Sequence, residues 1–129
     1  MSEEKVNHRL ILTRNLMDMM TDWGLTMEHI KSVLALDTPT RKMERFRSEE
    51  PFPNEPEVNT RIEHIVGIAE GLGAAYPQNP KMAKVWLQRP HRKFAKRAPL
   101  EVMVVDGMNG LIYVRAEIDC TFAYDATNG

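Results

Sequence analysis

The chain has 129 residues, of which 43% are hydrophobic, and a formal net charge of −1. A chain of this size can bury one modest core without a metal or a disulfide. A single cysteine, Cys120, excludes an internal disulfide framework and is typical of a reducing cytoplasm. Because Arg9 and Arg14 interrupt the first apolar segment, we expect a cytoplasmic protein with neither a signal peptide nor a membrane span.

The charges are separated along the sequence. Residues 41–47 include four basic residues and one acid, and residues 81–97 include seven basic residues and no acid. From residue 101 onward, five acids are opposed by Arg115 alone. A basic surface can bind nucleic acid, while an acidic end can face a basic partner or simply keep the protein soluble.

The first predicted element is an amphipathic helix. Its apolar residues recur at helical spacing from Val6 to Met20, and the helix should end at Trp23, with Gly24 as its stop. The region is rich in methionine, which more often marks an adaptable core than a ligand site. We therefore expect this helix to pack beneath the elements that follow.

Residues 25–47 predict two short helices joined by a tight turn. Thr26 is a good N-cap for the first helix, and Leu25 before it can pack onto Ile30. Thr38 and Pro39 suit the N-cap and the first helical position of the second. This arrangement is typical of a helix-turn-helix.

The second of these helices is basic. Its inward face is Met43 and Phe46, and at about 100° per residue the opposite face presents Arg41, Arg45 and Ser48. Such a helix can lie in the major groove of DNA, although a short basic helix is also often only a solvated face. The candidate DNA contacts on this helix are Thr40, Arg41, Lys42, Glu44, Arg45 and Arg47.

Three prolines predict an extended connector over residues 48–56, and a long helix follows over residues 57–76. The helix has one apolar face, formed by Val58, Ile62, Ile65, Ala69, Leu72 and Tyr76. That face could pair with a second copy of the chain or form the hydrophobic centre of a monomer. The glycines Gly67, Gly71 and Gly73 predict a close crossing with another helix.

The next helix should begin at Asn79-Pro80 and stop at Pro90. Its predicted buried residues are Met82, Ala83, Trp86 and Leu87. Residues 90–98 form a basic loop with Phe94 as its anchor, and Pro99 begins a short helix that ends at Asp106-Gly107.

Residues 102–118 fit two structures. The strand propensity of residues 111–114 and the glycines before them would make a hairpin. The spacing of Leu111, Val114, Ile118 and Phe122 would instead make a helix. The pattern alone leaves both open.

The sequence lacks the motifs of common enzymes. The histidines lie on separate predicted elements without a ligand spacing, and GxSxG, P-loop and GxGxxG sequences are absent. We therefore expect no catalytic activity, no metal and no cofactor.

Several short motifs of the C-terminal half occur in a characteristic order. They are Trp86-Leu87, Pro90, Pro99-Leu100, Gly107 or Gly110, and residues 111–118. Together with the predicted helix-turn-helix at WGLT and the long helix containing RIEHIVGIAEGL, this order resembles the bacterial Xre/MbcA/ParS antitoxin family over residues 20 to about 119.

The resemblance implies an all-α protein, with helix rather than hairpin over residues 109–122. It implies a helix-turn-helix domain with its long helix over residues 1–76 and a toxin-binding domain over residues 77–129. Family members typically form homodimers, repress their own operon through operator DNA, and neutralise a RES-type or ADP-ribosyltransferase-type toxin.

Candidate toxin contacts are Arg92, Phe94, Arg115, Asp119 and Tyr124. The chain departs from the family at two places. Ala95 and Lys96 stand where the family usually has a glycine pair, and the end TFAYDATNG lacks the arginine and glycine that often precede the toxin-blocking end. The alternative function is a helical interaction module or a transcriptional regulator without a toxin.

Overall fold

The computed structural model describes residues 3–128, and their side chains except those of residues 5–6 and 123–128. Every regular element in this range is helical, which confirms the predicted all-α fold. The α-helices are α1 (Glu3–Trp23), α2 (Met27–Leu34), α3 (Pro56–Ala75), α4 (Lys81–Gln88), α5 (Pro99–Val105) and α6 (Gly107–Asn128). A basic 3₁₀ helix (Thr40–Arg47) follows α2, and the basic loop (residues 90–98) contains a 3₁₀ turn, Arg92–Phe94.

The junction between α1 and α2 follows the predicted pattern. Gly24 ends α1 in the left-handed region, with φ of 105°, where a residue without a side chain avoids a steric penalty. Thr26 caps α2, because its Oγ1 accepts a hydrogen bond from the His29 backbone N–H at 3.1 Å. The His29 ring in turn accepts from the Thr26 backbone N–H at 3.3 Å, which completes a reciprocal cap.

The segment after α2 differs from its predicted geometry. Residues 40–47 form a 3₁₀ helix rather than an α-helix, and Pro39 rather than Thr38 occupies the N-cap position, without a side-chain cap. Met43 and Phe46 are buried, as predicted. Their spacing of three residues matches the three residues per turn of a 3₁₀ helix, so both reach the core directly above one another.

The connector after the basic 3₁₀ helix is non-helical, as predicted, but it is fastened to α1. Phe52 is buried, with its ring centroid 5.1 Å from that of Phe46. The Arg9 guanidinium donates to the carbonyl oxygens of Phe52 and Pro53 at 2.7 and 2.6 Å, and the Phe52 N–H donates to Oγ1 of Thr13 at 2.9 Å. Partial burial lowers the pKa of Arg9. These bonds hold the connector against the first helix.

Helices α3 and α6 cross closely. A Cβ placed on Gly71 would lie 2.5 Å from Cγ2 of Ile118, and one placed on Gly67 would overlap the Arg115 guanidinium. The predicted close crossing is therefore confirmed at Gly67 and Gly71. Gly73 does not take part in it, since a Cβ there would meet no neighbouring atom of the described residues within 4 Å.

Residues 107–128 form one helix, so the hairpin alternative is wrong and the helix implied by the resemblance is confirmed. Leu111, Val114 and Ile118 are buried against the rest of the chain. The apolar face of α3 is likewise occupied by this chain's own residues, which makes α3 part of the hydrophobic centre. Buried side chains from both halves of the sequence belong to one core.

Helix α4 is less buried than predicted. Leu87 is fully buried, but Met82 is 37% exposed and Trp86 only half-buried. A short helix resting on the surface of α1 and α5 has a limited inward face, which leaves room for few apolar residues. The α4 helix is attached to α1 by Gln88, whose amide donates to the Trp23 carbonyl oxygen at 2.8 Å.

Candidate functional site

The basic 3₁₀ helix presents its charged side chains in two rows. Residues three apart align in this geometry, so Arg41 shares a row with Glu44, and Lys42 shares a row with Arg45. These four side chains are exposed, as is Thr40. The predicted outer face, which grouped Arg41 with Arg45 on an α-helix, is therefore wrong in its arrangement. All five residues nevertheless reach solvent.

Ion pairs separate these cations into two kinds. Arg47 is half-buried and pairs with Glu44 at 3.0 Å and with Asp18 of α1 at 3.9 Å. It also donates to Oγ1 of Thr21 at 3.2 Å, so Arg47 braces the segment against α1. In contrast, Arg41 and Lys42 form no ion pair with any residue that the structure describes.

A polar concavity of about 430 Å³ lies beside these residues. Its lining is Arg41, Lys42, Glu44, Arg45, Arg47, Ser48 and Glu49. Small-molecule pockets are mostly apolar, whereas contacts to phosphates use exposed cations and hydroxyls. This surface therefore suits a polyanion better than an apolar ligand, although its glutamates reduce the local positive charge.

The second charged surface is the basic loop, which is clamped at its C-terminal end. Arg97 donates two hydrogen bonds to the Asp106 carboxylate, at 3.0 and 2.9 Å, and lies 3.9 Å from Glu101. The hydrogen bond from Arg97 lowers the pKa of Asp106, and the same bond raises the pKa of Arg97. The clamp joins the loop to the turn between α5 and α6.

The middle of the loop is held against α6. Phe94 is 5% exposed, and its ring centroid lies 5.2 Å from that of Tyr113 in an edge-to-face arrangement. The Tyr113 hydroxyl donates to the Lys93 carbonyl oxygen at 2.8 Å, and the Lys93 ammonium lies 3.2 Å from the Glu117 carboxylate. Phe94 is therefore buried as predicted, and its contact with Tyr113 anchors the loop to α6.

The tip of the loop is strained. Ala95 and Lys96 both adopt left-handed backbone, with φ of 56° and 67°. A non-glycine residue in this region costs on the order of 1–2 kcal/mol. At these two positions the resemblance described above would place glycines, which adopt this backbone without the penalty.

The other predicted toxin contacts divide between the basic loop, which carries Arg92, and the side of α6 that faces α3, which carries Arg115 and Asp119. Arg92 is exposed on the basic loop. Arg115 is half-buried against α3, where its guanidinium donates to Nδ1 of His64 at 3.3 Å, and Asp119, one turn later, is exposed. The side chain of Tyr124 lies outside the described residues. Tyr113 and Glu117, which sequence reasoning missed, are α6 residues that contact the loop.

Within the part of the chain that the structure describes, no three candidate ligands cluster as a metal site would require. Three of the histidines have structural partners, His64 through its bond from Arg115. His29 caps α2, and the His91 ring donates to the Trp86 carbonyl oxygen at 2.9 Å. No helix among the described residues is both long enough and apolar enough to cross a membrane.

Comparison of the chain with protein-family models, curated proteins and solved structures found no match. The fold and the two charged surfaces are therefore the features of the molecule that bear on its function. The first is the exposed charged face of the basic 3₁₀ helix, and the second is the clamped basic loop beside α6.

Proposed function

We propose that the protein is a DNA-binding antitoxin, which represses its own operon and neutralises a toxin. The observation that carries the DNA half is the position of Arg41 and Lys42. They are exposed cations without an ion pair among the described residues, on a segment that Met43 and Phe46 fix to the core. Rigidly presented cations are what contacts to phosphates and guanine edges require.

In this proposal, α2 and the basic 3₁₀ helix act as the two elements of a helix-turn-helix. The first residues of the second element reach base edges in known motifs of this kind, which assigns base contact to Thr40, Arg41 and Lys42. Glu44 and Arg45 flank them, and Arg47 positions the segment through its bonds to α1.

The protein would bind its operator as a homodimer. Two copies of the basic 3₁₀ helix spaced about one DNA turn apart would read a palindromic site. Since the apolar face of α3 is occupied by the chain's own core, the two copies would meet through another surface. A palindromic operator is the signature that this arrangement predicts.

The toxin half of the proposal rests on the C-terminal elements. Their order resembles the toxin-binding domain of Xre/MbcA/ParS antitoxins, and the left-handed turn at Ala95 and Lys96 falls where that family usually has glycines. The partner would be a RES-type or ADP-ribosyltransferase-type toxin. Arg92, Arg115 and Asp119 remain its proposed contacts, with Phe94 supporting the loop from within.

The test is a fluorescence-anisotropy titration of the protein against the DNA upstream of its own gene, beside a random duplex, at low and moderate salt. The proposal predicts tight binding to upstream DNA that weakens steeply with salt. Binding releases counterions from the DNA, and this release is less favourable when the salt concentration is high. Equal affinity for the random duplex, or binding that does not depend on salt, would contradict it.

A second candidate function is a protein-interaction module that does not bind DNA. The observation in its favour is the presence of Glu44, Glu49 and Glu50 beside the exposed cations, since Glu50 lies 3.9 Å from Arg45. Absence of retention on DNA at low salt, together with a co-purifying enzyme, would select this function.

A further inference from the structure

The tip of the basic loop, Ala95 and Lys96, has a backbone conformation in which glycine would give a more stable fold. Three backbone hydrogen bonds enforce the turn: Ala95 N–H to the Arg92 oxygen at 3.1 Å, Lys96 N–H to the His91 oxygen at 3.0 Å, and Arg97 N–H to the Phe94 oxygen at 3.0 Å. Glycine adopts the left-handed region without the steric penalty. The lysine at position 96 is therefore a side chain that the turn itself disfavours.

The cations of this loop also divide into paired and unpaired ones. Lys93 is paired with Glu117, and Arg97 is paired with Asp106. Arg92 and Lys96 are exposed and form no ion pair with any residue that the structure describes. The paired cations fix the backbone, so the unpaired ones project from a rigid support. A rigid support lowers the entropy cost of forming a contact.

The surroundings of the tip favour a protein over a nucleic acid as the partner. Tyr113 and its neighbour Ile112 are each 46% exposed on α6, and Tyr113 touches the loop. Exposed aromatic residues beside arginine are typical of protein interfaces.

We propose that Arg92 and Lys96 form an electrostatic contact with an acidic segment of a protein partner, and that the chain retains a strained lysine at position 96 for this contact. The inference rests on the proposed function, because the partner would be the toxin. It adds the chemistry of the partner's surface and names Lys96, which stands where the resembled family usually has a glycine.

Three variants separate charge from strain. Ala95→Gly relieves strain and keeps every charge, Lys96→Ala removes the charge and keeps the strain, and Lys96→Gly does both. We expect both glycine variants to raise Tm by about 2–4 °C, since the relief of strain exceeds the entropy that glycine adds to the unfolded chain. Lys96→Ala should leave Tm nearly unchanged.

The binding probe is a short fluorescein-labelled peptide rich in Asp and Glu, with the matching Asn and Gln peptide as its neutral control. We expect the full chain to bind the acidic peptide and not the neutral one. Both Lys96 variants should weaken that binding about two- to fivefold, as for one exposed ion pair, and Ala95→Gly should bind as the wild type does. Lys96→Gly would then be more stable and bind more weakly.

Two results would overturn the inference: equal binding of the acidic and neutral peptides, or unchanged peptide binding by the Lys96 variants. If the Lys96 variants also lose affinity for a random DNA duplex in the same proportion, the loop is a nucleic-acid surface and the inference is wrong. Binding to upstream DNA depends instead on Arg41 and Lys42 in the proposed function. Failure of the inference is therefore distinguishable from failure of the proposed function.

Discussion

Arg97 and Asp106 form a two-bond ion pair, at 3.0 and 2.9 Å, that closes the basic loop onto the turn between α5 and α6. The pair joins the end of the loop to Asp106, the residue just before α6. It therefore fixes the position of the loop relative to that helix. Bidentate pairs of this kind hold a direction as well as a distance. The orientation of the loop tip therefore depends on Asp106 being ionised.

The first prediction concerns pH. Because the folded state lowers the pKa of Asp106 below its ordinary value of 3.8, ionisation of Asp106 stabilises the fold at neutral pH. This contribution is lost as the pH falls through the lowered pKa. We expect Asp106→Asn to unfold at a lower temperature than the wild type at neutral pH, with the difference disappearing in acid. Thermal unfolding followed by circular dichroism across this pH range measures it.

The control for this prediction is the same substitution made in an Arg97→Ala background. If the effect of Asp106 acts through Arg97, Asp106→Asn should change Tm little when Arg97 is already alanine. A Tm difference between Asp106→Asn and the wild type that stays constant from neutral to acidic pH would contradict the assignment.

The second prediction tests the crossing of α3 and α6. Gly71→Ala places a methyl 2.5 Å from Cγ2 of the buried Ile118, and overpacking of this kind costs about 1–3 kcal/mol. Better helix propensity returns about 1 kcal/mol, so we expect a net loss of about 1 kcal/mol in the free energy of unfolding. Gly73→Ala lacks such a neighbour among the described residues and should gain about 1 kcal/mol. Urea unfolding of both variants gives the comparison, and equal effects would refute the close crossing.

The third prediction concerns Arg9, which holds the connector. Arg9→Ala removes its hydrogen bonds to the Phe52 and Pro53 oxygens and to Asn59 Oδ1, which lies 2.8 Å away. We expect a loss of about 1–3 kcal/mol in unfolding free energy, because hydrogen bonds from a charged group are the stronger kind. Arg41→Ala is the matched control and should change stability by less than about 0.5 kcal/mol, since Arg41 is exposed. Similar losses for both variants would show that Arg9 does not fasten the connector.

The parts of the fold that could be predicted depend on local backbone chemistry. Gly24 ends a helix because it tolerates a left-handed backbone, Thr26 begins one because its hydroxyl accepts a backbone N–H, and Pro99 begins another because its missing N–H has no partner to lose. Each signal lies within one turn of the element that it defines. These helix ends were therefore readable from the sequence.

The features that sequence reasoning missed depend on tertiary partners. Phe52 lies in a proline-rich connector whose composition indicates exposure to solvent. Its backbone is nevertheless hydrogen-bonded to Arg9 and Thr13 of α1. Arg61 is buried on α3 because its guanidinium reaches the Val33 oxygen at 3.2 Å, a contact that a hydrophobic pattern does not encode. The 3₁₀ rather than α geometry of residues 40–47 was also missed.

The candidate site was predicted in part. The spacing of Met43 and Phe46 identified the buried face of the basic segment, so the exposed positions of Arg41 and Lys42 followed from it. Sequence could not separate Arg41 from Arg47, because only the fold brings Asp18 and Thr21 close enough to engage Arg47. Long-range contacts decide which cations are available to a partner.

The most direct measurement of the central claim is a parallel titration of four variants against the upstream DNA. Arg41→Ala and Lys42→Ala lie on the basic 3₁₀ helix, while Lys81→Ala and Lys84→Ala remove cations that are also exposed, on α4. We predict that Arg41→Ala weakens binding by about 1–3 kcal/mol, that Lys42→Ala reduces the salt slope by about 1, and that both α4 variants bind as the wild type does. Wild-type affinity in the Arg41 and Lys42 variants, with loss in the α4 variants, would contradict the account.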